Sequence, residues 1–274
     1  TKQIKPVTIY LFPHQKKLKW FLLGISFAIF FLFLPYQTWN WLKALPQPQL
    51  LTQREIPVTT KIFDRNGYLL YEIYADQNRT PVALADLPKA LIDATISIED
   101  QEFYSHQGFS LRGILRSARE IIFNHRLQGG STITQQLIRS AFLTPEPTLT
   151  RKAKELLLSF WAEKLFSKNQ ILEMYFNQVP YGGTAWGVEA ASQTFFGKPV
   201  KSLSLAESAY LAGLPSAPSI FSPYGTNPKM GLVRQKEVLQ RMIDDKKITL
   251  EQKKSAEAKS LTFAPPRTDI KAPH

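Results

Sequence analysis

The chain of 274 residues contains no cysteine. This absence excludes disulfide bonds, metal sites built on thiolates and a cysteine nucleophile, although it leaves the redox compartment open. Hydrophobic residues make up 44% of the sequence, which is enough for a packed core. The length suits one domain with extensions or two small domains.

Acidic residues are missing from the start of the chain. No aspartate or glutamate occurs before Glu55, whereas the first 54 residues contain seven lysines and arginines of a chain with a net charge of +12. A basic excess favours either nucleic acid or an anionic membrane as a partner. Because this excess flanks the most apolar run of the sequence, we expect a membrane and no nucleic acid.

Residues 20–34 form the apolar run, and no charge follows until Lys43. The run alone is shorter than the ~20 residues of a spanning helix, but extension to Trp41 supplies the length and places aromatic residues at both ends. A cleaved signal peptide is the alternative, although no small-residue cleavage site follows Leu34. The pattern favours a retained single-pass anchor over residues 20–41, and the lysines before it predict a cytoplasmic N-terminus.

The rest of the chain is predicted to be mainly α-helical. Residues 59–74 alternate apolar and polar side chains around Asn66-Gly67, a pair typical of a tight β-hairpin turn. From Pro88 onward, apolar residues recur with helical spacing between loops rich in glycine and proline. The predicted helices span residues 87–98, 111–123, 132–142, 149–166, 169–176, 185–195, 205–214 and 229–244.

Three carboxylates, Glu99, Asp100 and Glu102, gather at the end of a predicted apolar helix. If residues 97–104 are helical, Glu99 and Phe103 lie one turn apart. An aromatic ring beside a carboxylate removes water and raises its pKa, as a general acid or base requires. A solvated helix end is the alternative interpretation.

Two later segments carry features of anion binding. In GGSTITQQ, Thr132 and Gln135 have capping-box spacing after two glycines, so a helix beginning here would direct free N–H groups at an anion. A plain glycine loop and N-cap is the alternative. In RKAKE, Arg151 and Lys152 flank Glu155 on one helical face. That face fits either a surface ion-pair ladder or a phosphate pocket with a carboxylate in it.

In their order and spacing, these segments resemble the peptidoglycan glycosyltransferases (glycosyltransferase family 51), which form the N-terminal half of class A penicillin-binding proteins and also occur as monofunctional transglycosylases. The resemblance covers about residues 60–245. Five motifs carry it: E-D-x-x-F-x-x-H-x-G at residues 99–108, G-G-S-T-I-T-Q-Q at 129–136, R-K-x-x-E at 151–155, I-L-E-x-Y-F-N at 171–177 and R-x-x-x-V-L at 234–239.

The resemblance implies a lysozyme-like, mainly α fold with a small jaw subdomain that dips into the membrane. It implies transfer of a growing glycan from undecaprenyl pyrophosphate to the 4-hydroxyl of lipid II, with inversion at the sugar carbon. The expected partners are lipid II, nascent glycan chains, the bacterial cytoplasmic membrane and the cell-wall synthesis machinery. The catalytic domain would then lie on the outer face of that membrane.

The resemblance also implies roles for matching residues. Glu99 would be the base that deprotonates the acceptor hydroxyl, and Glu155 would help to hold the donor pyrophosphate and a divalent cation, Mg²⁺ or Mn²⁺. No organic cofactor is implied. The residues expected to bind substrate are Asp100, Phe103, His106, Gly130, Ser131, Thr132, Gln135, Gln136, Arg139, Arg151, Lys152 and Lys154. Arg139 departs from the family pattern, which usually has a lysine there, and Ser140 follows where asparagine is usual.

Two other functions are weighed against the transferase. A membrane-anchored muramidase or lytic enzyme expels an alcohol and needs a protonated carboxyl to do so. A pyrophosphate leaving group needs charge neutralisation instead, and RKAKE supplies cations. A non-catalytic glycan-binding module has no use for Glu99 and Glu155 together with those cations.

The resemblance also completes the division of the chain. The last residues, rich in proline, look like the start of a linker toward a transpeptidase domain, and the first residue is Thr1, so we expect an excerpt or a processed form. The predicted segments are a basic cytoplasmic tail (1–19), an anchor (20–41), a linker with a β-hairpin (42–80), the glycosyltransferase domain (81–250) and that linker (251–274).

We predict that these 274 residues are not acylated by penicillin. No S-x-x-K occurs among them, so the acylatable serine of a transpeptidase is absent. The measurement is labelling with a fluorescent penicillin and gel analysis, beside a class A penicillin-binding protein that carries its transpeptidase domain. A labelled band of the 274-residue chain would contradict the prediction.

Overall fold

A computed structural model of the chain describes residues 14–53, 60–63, 65–66, 69–73, 78–110, 130–143 and 148–265. The chain divides into two compact units, Thr1–Pro46 and Gln47–His274. The predicted helix over residues 111–123 and two motif or turn glycines, Gly67 and Gly129, lie outside the described residues.

The first unit is helical. Helix α1 (His14–Ala28), a π-helical turn (Ile29–Phe33) and α2 (Leu34–Lys43) follow one another directly. Pro35 follows the π-helical turn inside this continuous helical stretch, where its ring leaves the backbone without one N–H donor. Within this helical stretch, Lys17–Lys43 is long and apolar enough to cross a membrane. The orientation of this helix stays a prediction.

The second unit begins with the short helix α3 (Leu50–Gln53) and the predicted hairpin. Strands β1 (Thr60–Phe63) and β2 (Leu69–Ile73) pair antiparallel, with Thr60 opposite Ile73, and the register shifts between Ile62 and Phe63. The alternating pattern around Asn66 therefore predicted this hairpin correctly.

Helices make up most of the second unit, as predicted. Helix α4 (Lys89–Glu99) packs against α9 (Leu205–Gly213) and α11 (Pro228–Asp244), while α5 (Ile133–Phe142) packs against α6 (Leu149–Leu165) and α7 (Lys168–Gln178). The remaining helices are α8 (Val188–Phe196), α10 (Pro218–Phe221) and α12 (Leu250–Ala258). Helix α12 was not predicted, and its Ala256 is buried against the α9–α11 cluster.

Capping side chains mark the first residues of α5, α6 and α7. Thr132 is the N-cap of α5, and its hydroxyl accepts a hydrogen bond from Gln135 N at 3.3 Å. Thr148 caps α6 in the same way through Arg151 N at 3.1 Å. At α7, Ser167 forms a full capping box with Gln170. The predicted cap at Thr132 is therefore confirmed, although the Gln135 side chain does not return to close a capping box.

Helix α7 holds the segment that leads into α4. Val82 N donates to Asn177 Oδ1 at 2.9 Å, and Asn177 Nδ2 donates back to Val82 O at 2.8 Å. Leu84 N donates to Glu173 Oε2 at 2.8 Å. The fourth sequence motif, to which Glu173 and Asn177 belong, therefore docks the entry to α4 onto the core.

A small second sheet corrects one predicted helix boundary. The helix predicted over residues 185–195 begins instead at Val188, because Ala185–Trp186 form strand β5. Strand β5 pairs parallel with β3 (Asn78–Arg79) and antiparallel with β4 (Pro180–Gly182). Gly187, at φ 80° and ψ 156°, separates strand from helix in a conformation that is nearly restricted to glycine.

We predict that Gly187→Ala destabilises the protein far more than Gly183→Ala. A Cβ at Gly187 would lie 2.9 Å from the carbonyl oxygen of Asn177, whereas a Cβ at Gly183, also at positive φ, meets no atom within 4 Å. We expect losses of about 3 kcal/mol and about 1 kcal/mol in the free energy of unfolding.

Thermal unfolding in detergent measures this difference, which corresponds to about 4–8 °C in Tm. Equal Tm values for the two variants would show that the close approach of Gly187 to α7 is not needed.

Candidate functional site

The candidate site begins where α4 ends. Glu99 is the last residue of α4, and Asp100 leaves the helix with φ −159° and ψ 74°. Residues 101–105 form turns, so the condition that residues 97–104 are helical is not met, and Glu99 and Phe103 are not one helical turn apart. Phe103 is fully buried in the core instead. The helix predicted over residues 87–98 from its periodicity ends one residue before this observed end.

Glu99 is nearly removed from water, since its side chain is 7% exposed. Its Oε2 accepts a hydrogen bond from Gln136 Nε2 at 2.6 Å. Its Oε1 is buried without a hydrogen-bond partner among the described residues, and Arg234 Nη2 lies 4.0 Å away. Burial raises the pKa of Glu99 above its ordinary value, although Arg234, Gln136 and Arg139 oppose the rise. The result is a carboxyl group with a raised pKa and one oxygen that accepts no hydrogen bond from the described residues.

Two buried tyrosines lie near this carboxyl group. Tyr175 donates to Gln136 Oε1 at 3.4 Å and so extends the hydrogen bonding of Glu99 by one residue. The hydroxyl of Tyr181 is buried without a hydrogen-bond partner in the described part of the chain. Burial, and then the charge of Glu99, raise the pKa of both tyrosines. Both therefore remain protonated, and both are potential hydrogen-bond donors.

Asp100 connects the end of α4 to the start of α5. Its carboxylate oxygens lie 2.8 and 2.9 Å from His106 Nε2, and Oδ2 accepts a hydrogen bond from Ile133 N at 3.0 Å. The side chains of Asp100 and His106 are 4% and 8% exposed. In this structure, these two residues contact each other and the backbone of α5, and their contact with a substrate stays a prediction.

The loop after His106 lies against α6. Gly108 has φ 82°, and a Cβ there would lie 2.8 Å from the carbonyl carbon of Ser159. Its carbonyl oxygen accepts hydrogen bonds from Thr132 Oγ1 at 2.8 Å and Gln135 Nε2 at 3.1 Å. The glycine of the first motif thus brings the second motif and α6 together.

Glu155 lies between two cations, as predicted from the spacing. Arg151 Nη1 contacts its Oε1 at 2.7 Å, and Lys152 Nζ contacts its Oε2 at 2.9 Å. The Glu155 side chain is 1% exposed, so this is no surface ion-pair ladder. Lys152 Nζ also donates to Ser131 Oγ at 3.0 Å and Gln135 Oε1 at 2.9 Å.

The side chains around Glu155 do not form a binding site for a divalent cation. Both carboxylate oxygens already contact Arg151 and Lys152, and like charges disfavour a metal ion beside them. Within the described residues, no group of three or more histidine, aspartate or glutamate side chains could hold a metal ion. Mg²⁺ and Ca²⁺ require several oxygen ligands, which Glu155 alone does not supply.

Helix α5 joins the predicted site residues into one arrangement. Gln135 contacts the Glu155 side of the site and Gln136 contacts the Glu99 side. Gly130 is exposed beside Ser131. Two predicted cations, Arg139 and Lys154, are half-buried, and their side chains form no hydrogen bond or ion pair with other described residues. Arg139 acts electrostatically on Glu99, and its expected contact with phosphate stays a prediction.

Three residues near Glu99 were absent from the predicted site. Arg234 belongs to the fifth motif, and only the packing of α11 against α4 brings it close. Tyr175 belongs to the fourth motif, none of whose residues was assigned to the predicted site. Tyr181 follows a proline in a short strand, and no pattern in the sequence distinguishes it from other core tyrosines.

Comparisons with known proteins agree with these motifs. The family model described as Transglycosylase matches residues 66–243. Penicillin-binding protein 1A from Aquifex aeolicus is 42% identical over 252 residues, which is 90% of this chain and 34% of that protein. Penicillin-binding protein 1A from Escherichia coli K12 is 40% identical over 233 residues, which is 84% of this chain and 27% of that protein. The chain thus spans about a third or less of the length of these relatives.

Among solved structures, a crystal structure of penicillin-binding protein 1A from Haemophilus influenzae is 27% identical to this chain. The match covers 77% of this chain and 22% of the other, with a TM-score of 0.44.

We predict that Asp100→Ala destabilises the protein by about 3 kcal/mol, because it leaves His106 and the Ile133 N–H buried without their partner. Glu102→Ala is the matched control. Glu102 accepts a hydrogen bond from Ser110 at 2.6 Å but is only half-buried, so we expect a loss of about 1 kcal/mol. Thermal unfolding measures both variants, and similar losses would refute the bridging role of Asp100.

Proposed function

The chain belongs to the transglycosylase family, and on that premise we propose that it polymerises lipid II into the glycan strands of bacterial peptidoglycan. The donor is a glycan chain linked to undecaprenyl pyrophosphate, and the acceptor is the 4-hydroxyl of the GlcNAc sugar of lipid II. We propose further that this activity is the glycosyltransferase part of a bifunctional penicillin-binding protein. The single observation that carries the proposal is the pair of opposite environments around Glu99 and Glu155.

Glu99 acts as the general base. Its Oε1, which accepts no hydrogen bond from the described residues, takes the proton of the acceptor hydroxyl, and the hydroxyl oxygen attacks the anomeric carbon of the donor. The bond from that carbon to the pyrophosphate oxygen breaks on the opposite face, so the configuration inverts and the pyrophosphate leaves with the bonding electrons. The raised pKa of Glu99 suits this step, because a general base is most efficient when its pKa lies near the working pH.

The cations around Glu155 stabilise the leaving group. Arg151 and Lys152 are held in place by the buried Glu155, and Lys154 carries a further positive charge on the same helix without an ion-pair partner in the described part of the chain. Preorganised cations at a site of developing negative charge lower the barrier without rearranging during the reaction. Glu155 therefore positions the cations, and no step passes through a metal ion.

The other predicted site residues divide by exposure. Gly130, Ser131 and Arg139 are at least partly exposed and line the cleft, where they contact the substrates. The buried residues Asp100, Phe103, His106, Thr132, Gln135 and Gln136 maintain the geometry of that cleft.

A lysozyme-like hydrolase is the competing function for the same fold. The raised pKa of Glu99 would also suit a general acid, so that residue does not separate the two. Glu155 separates the two functions. A retaining hydrolase needs a second carboxylate that is free to act as the nucleophile, and an inverting hydrolase needs a second carboxylate that activates water. Both oxygens of Glu155 contact cations, which favours a phosphate leaving group.

The N-terminal helix supports a site of action at the membrane. Both substrates carry lipid tails, so tethering the domain to the same bilayer raises their effective concentration at the cleft. We propose that Lys17–Lys43 crosses the cytoplasmic membrane with its N-terminus inside and the catalytic domain on the outer face. The cell-wall synthesis machinery is the proposed protein partner.

We predict that Glu99→Gln lowers the initial rate of lipid II polymerisation by about 10²–10⁴-fold, because an amide cannot accept the hydroxyl proton. In the wild type, the rate falls as the pH drops through the pKa of Glu99. Since that pKa is raised, the acid limb lies above the ~4.3 of an ordinary glutamate.

Glu155→Gln is the comparison. Arg151 and Lys152 remain, but they lose their anchor, so we expect a higher KM for the donor and a smaller loss of rate at saturation. Glycan chains separated on gels give the rates, and Tm values establish that both variants fold. A folded Glu99→Gln variant that retains more than about a tenth of the wild-type rate would exclude Glu99 as the base.

A further inference from the structure

Arg234 lies beside Oε1 of Glu99 although it is distant in sequence. Its Nη1 donates to Glu237 Oε2 at 2.9 Å, and its Nη2 lies 4.0 Å from Glu99 Oε1. Within the described residues, Arg234 is the only cation that reaches the Glu99 carboxylate within 4.0 Å. The Arg234 side chain is 22% exposed and Glu237 is 56% exposed, so the guanidinium spans from the surface to the buried carboxylate.

The contact between these two groups is electrostatic. A separation of 4.0 Å is too long for a hydrogen bond, and both Glu99 Oε1 and Arg234 Nε are buried without a hydrogen-bond partner among the described residues. Attraction between opposite charges at this distance is weak in water and much stronger where water is excluded. Arg234 therefore acts on Glu99 without forming a hydrogen bond to Oε1, which keeps its capacity to accept one.

The packing of α9 against α11 fixes the path of the Arg234 side chain. Gly213 is the last residue of α9, and a Cβ there would lie 2.7 Å from Arg234 Cγ. The missing side chain of Gly213 thus leaves the space that Arg234 crosses. The adjacent Gln235 is buried and donates to Ala206 O at 2.8 Å, which holds α11 against α9.

Other elements also place groups around Glu99. Helix α5 contributes Arg139 and Gln136, α7 contributes Tyr175, β4 contributes Tyr181, and Asp100 follows Glu99 in the chain. Asp100 disfavours a negative charge on Glu99, and the two tyrosines are neutral. Arg234 and Arg139 are thus the cations that offset the burial of Glu99, and Arg234 is the one that reaches Oε1 within 4.0 Å.

We propose that Arg234 is a positioning residue for the transfer reaction. Seated over Gly213 and tethered by Glu237, it supplies the fixed positive charge that allows the buried Glu99 carboxylate to ionise with Oε1 directed at the acceptor hydroxyl. This inference rests on the proposed role of Glu99 as the base.

The test compares Arg234→Gln, which removes the charge, with Arg234→Lys, which keeps it. Glu237→Gln removes the tether but leaves the charge, and Arg241→Gln removes a charge two turns further along the same helix. The full 274-residue chain is assayed in detergent micelles with lipid II across a pH series. A second readout needs no turnover: the carboxyl ¹³C signal of Glu99, assigned by its loss in Glu99→Gln, is titrated in each variant.

Loss of a nearby opposite charge raises the pKa of a carboxyl group. In Arg234→Gln we expect the acid limb of the rate profile and the ¹³C midpoint of Glu99 to move up together by about 1 pH unit. At pH values below the pKa of Glu99, a shift of about 1 pH unit lowers the rate about tenfold relative to the wild type. At high pH, the rate returns toward that of the wild type. Arg234→Lys should lie close to the wild type, Glu237→Gln should shift less than Arg234→Gln because the charge remains, and the profile of Arg241→Gln should not move.

A uniform loss of rate at every pH, with the Glu99 midpoint the same as in Arg241→Gln, would overturn the proposal and leave Arg234 a merely structural role. If Arg234→Gln does not fold, Gly213→Ala carries the test, because the added methyl group displaces the Arg234 side chain and should raise the same midpoint. If the wild type forms no glycan from lipid II but the midpoint still rises in Arg234→Gln, the proposed function fails while the coupling between Arg234 and Glu99 stands.

Discussion

The site depends on one buried carboxylate, that of Asp100. It ends α4, accepts the N–H of Ile133 at the start of α5 and faces His106 across 2.8 Å. Because an unpaired charge is costly inside a protein, these three groups have little freedom to separate. The junction fixes α5 relative to α4, and the partners of both glutamates follow from that placement.

The two glutamates of the site differ in what surrounds them rather than in chemistry. Glu155 has a cation in hydrogen-bond contact with each oxygen, whereas Glu99 has one amide donor and a cation held at 4.0 Å. Full pairing leaves Glu155 to hold its two cations in place. Incomplete pairing leaves Glu99 with an oxygen that can accept a proton. A difference of this kind between two carboxyl groups distinguishes the acid–base residue of a site from a supporting residue.

Sequence reasoning succeeded where contacts are local. Arg151, Lys152 and Glu155 are related by helical spacing, so their contact follows from the sequence alone. The end of α4 was predicted at Ile98, one residue before the observed end at Glu99, but the buried partners of Asp100 at this junction are not local and were not predicted. Arg234 was identified only as a motif residue, since its position beside Glu99 results from helix packing between segments 135 residues apart in the sequence.

Helix α5 contacts both glutamates' surroundings through two successive residues, Gln135 on the Glu155 side of the site and Gln136 on the Glu99 side. Side chains of successive residues diverge by about 100° around a helix, so Gln135 and Gln136 face different halves while sharing one backbone. A shift of α5 that alters the contacts on the Glu155 side of the site therefore also alters the contacts on the Glu99 side. For the proposed transfer reaction, adaptation of the site to a different donor is thus constrained by its acceptor, and the two specificities are expected to change together in engineered variants.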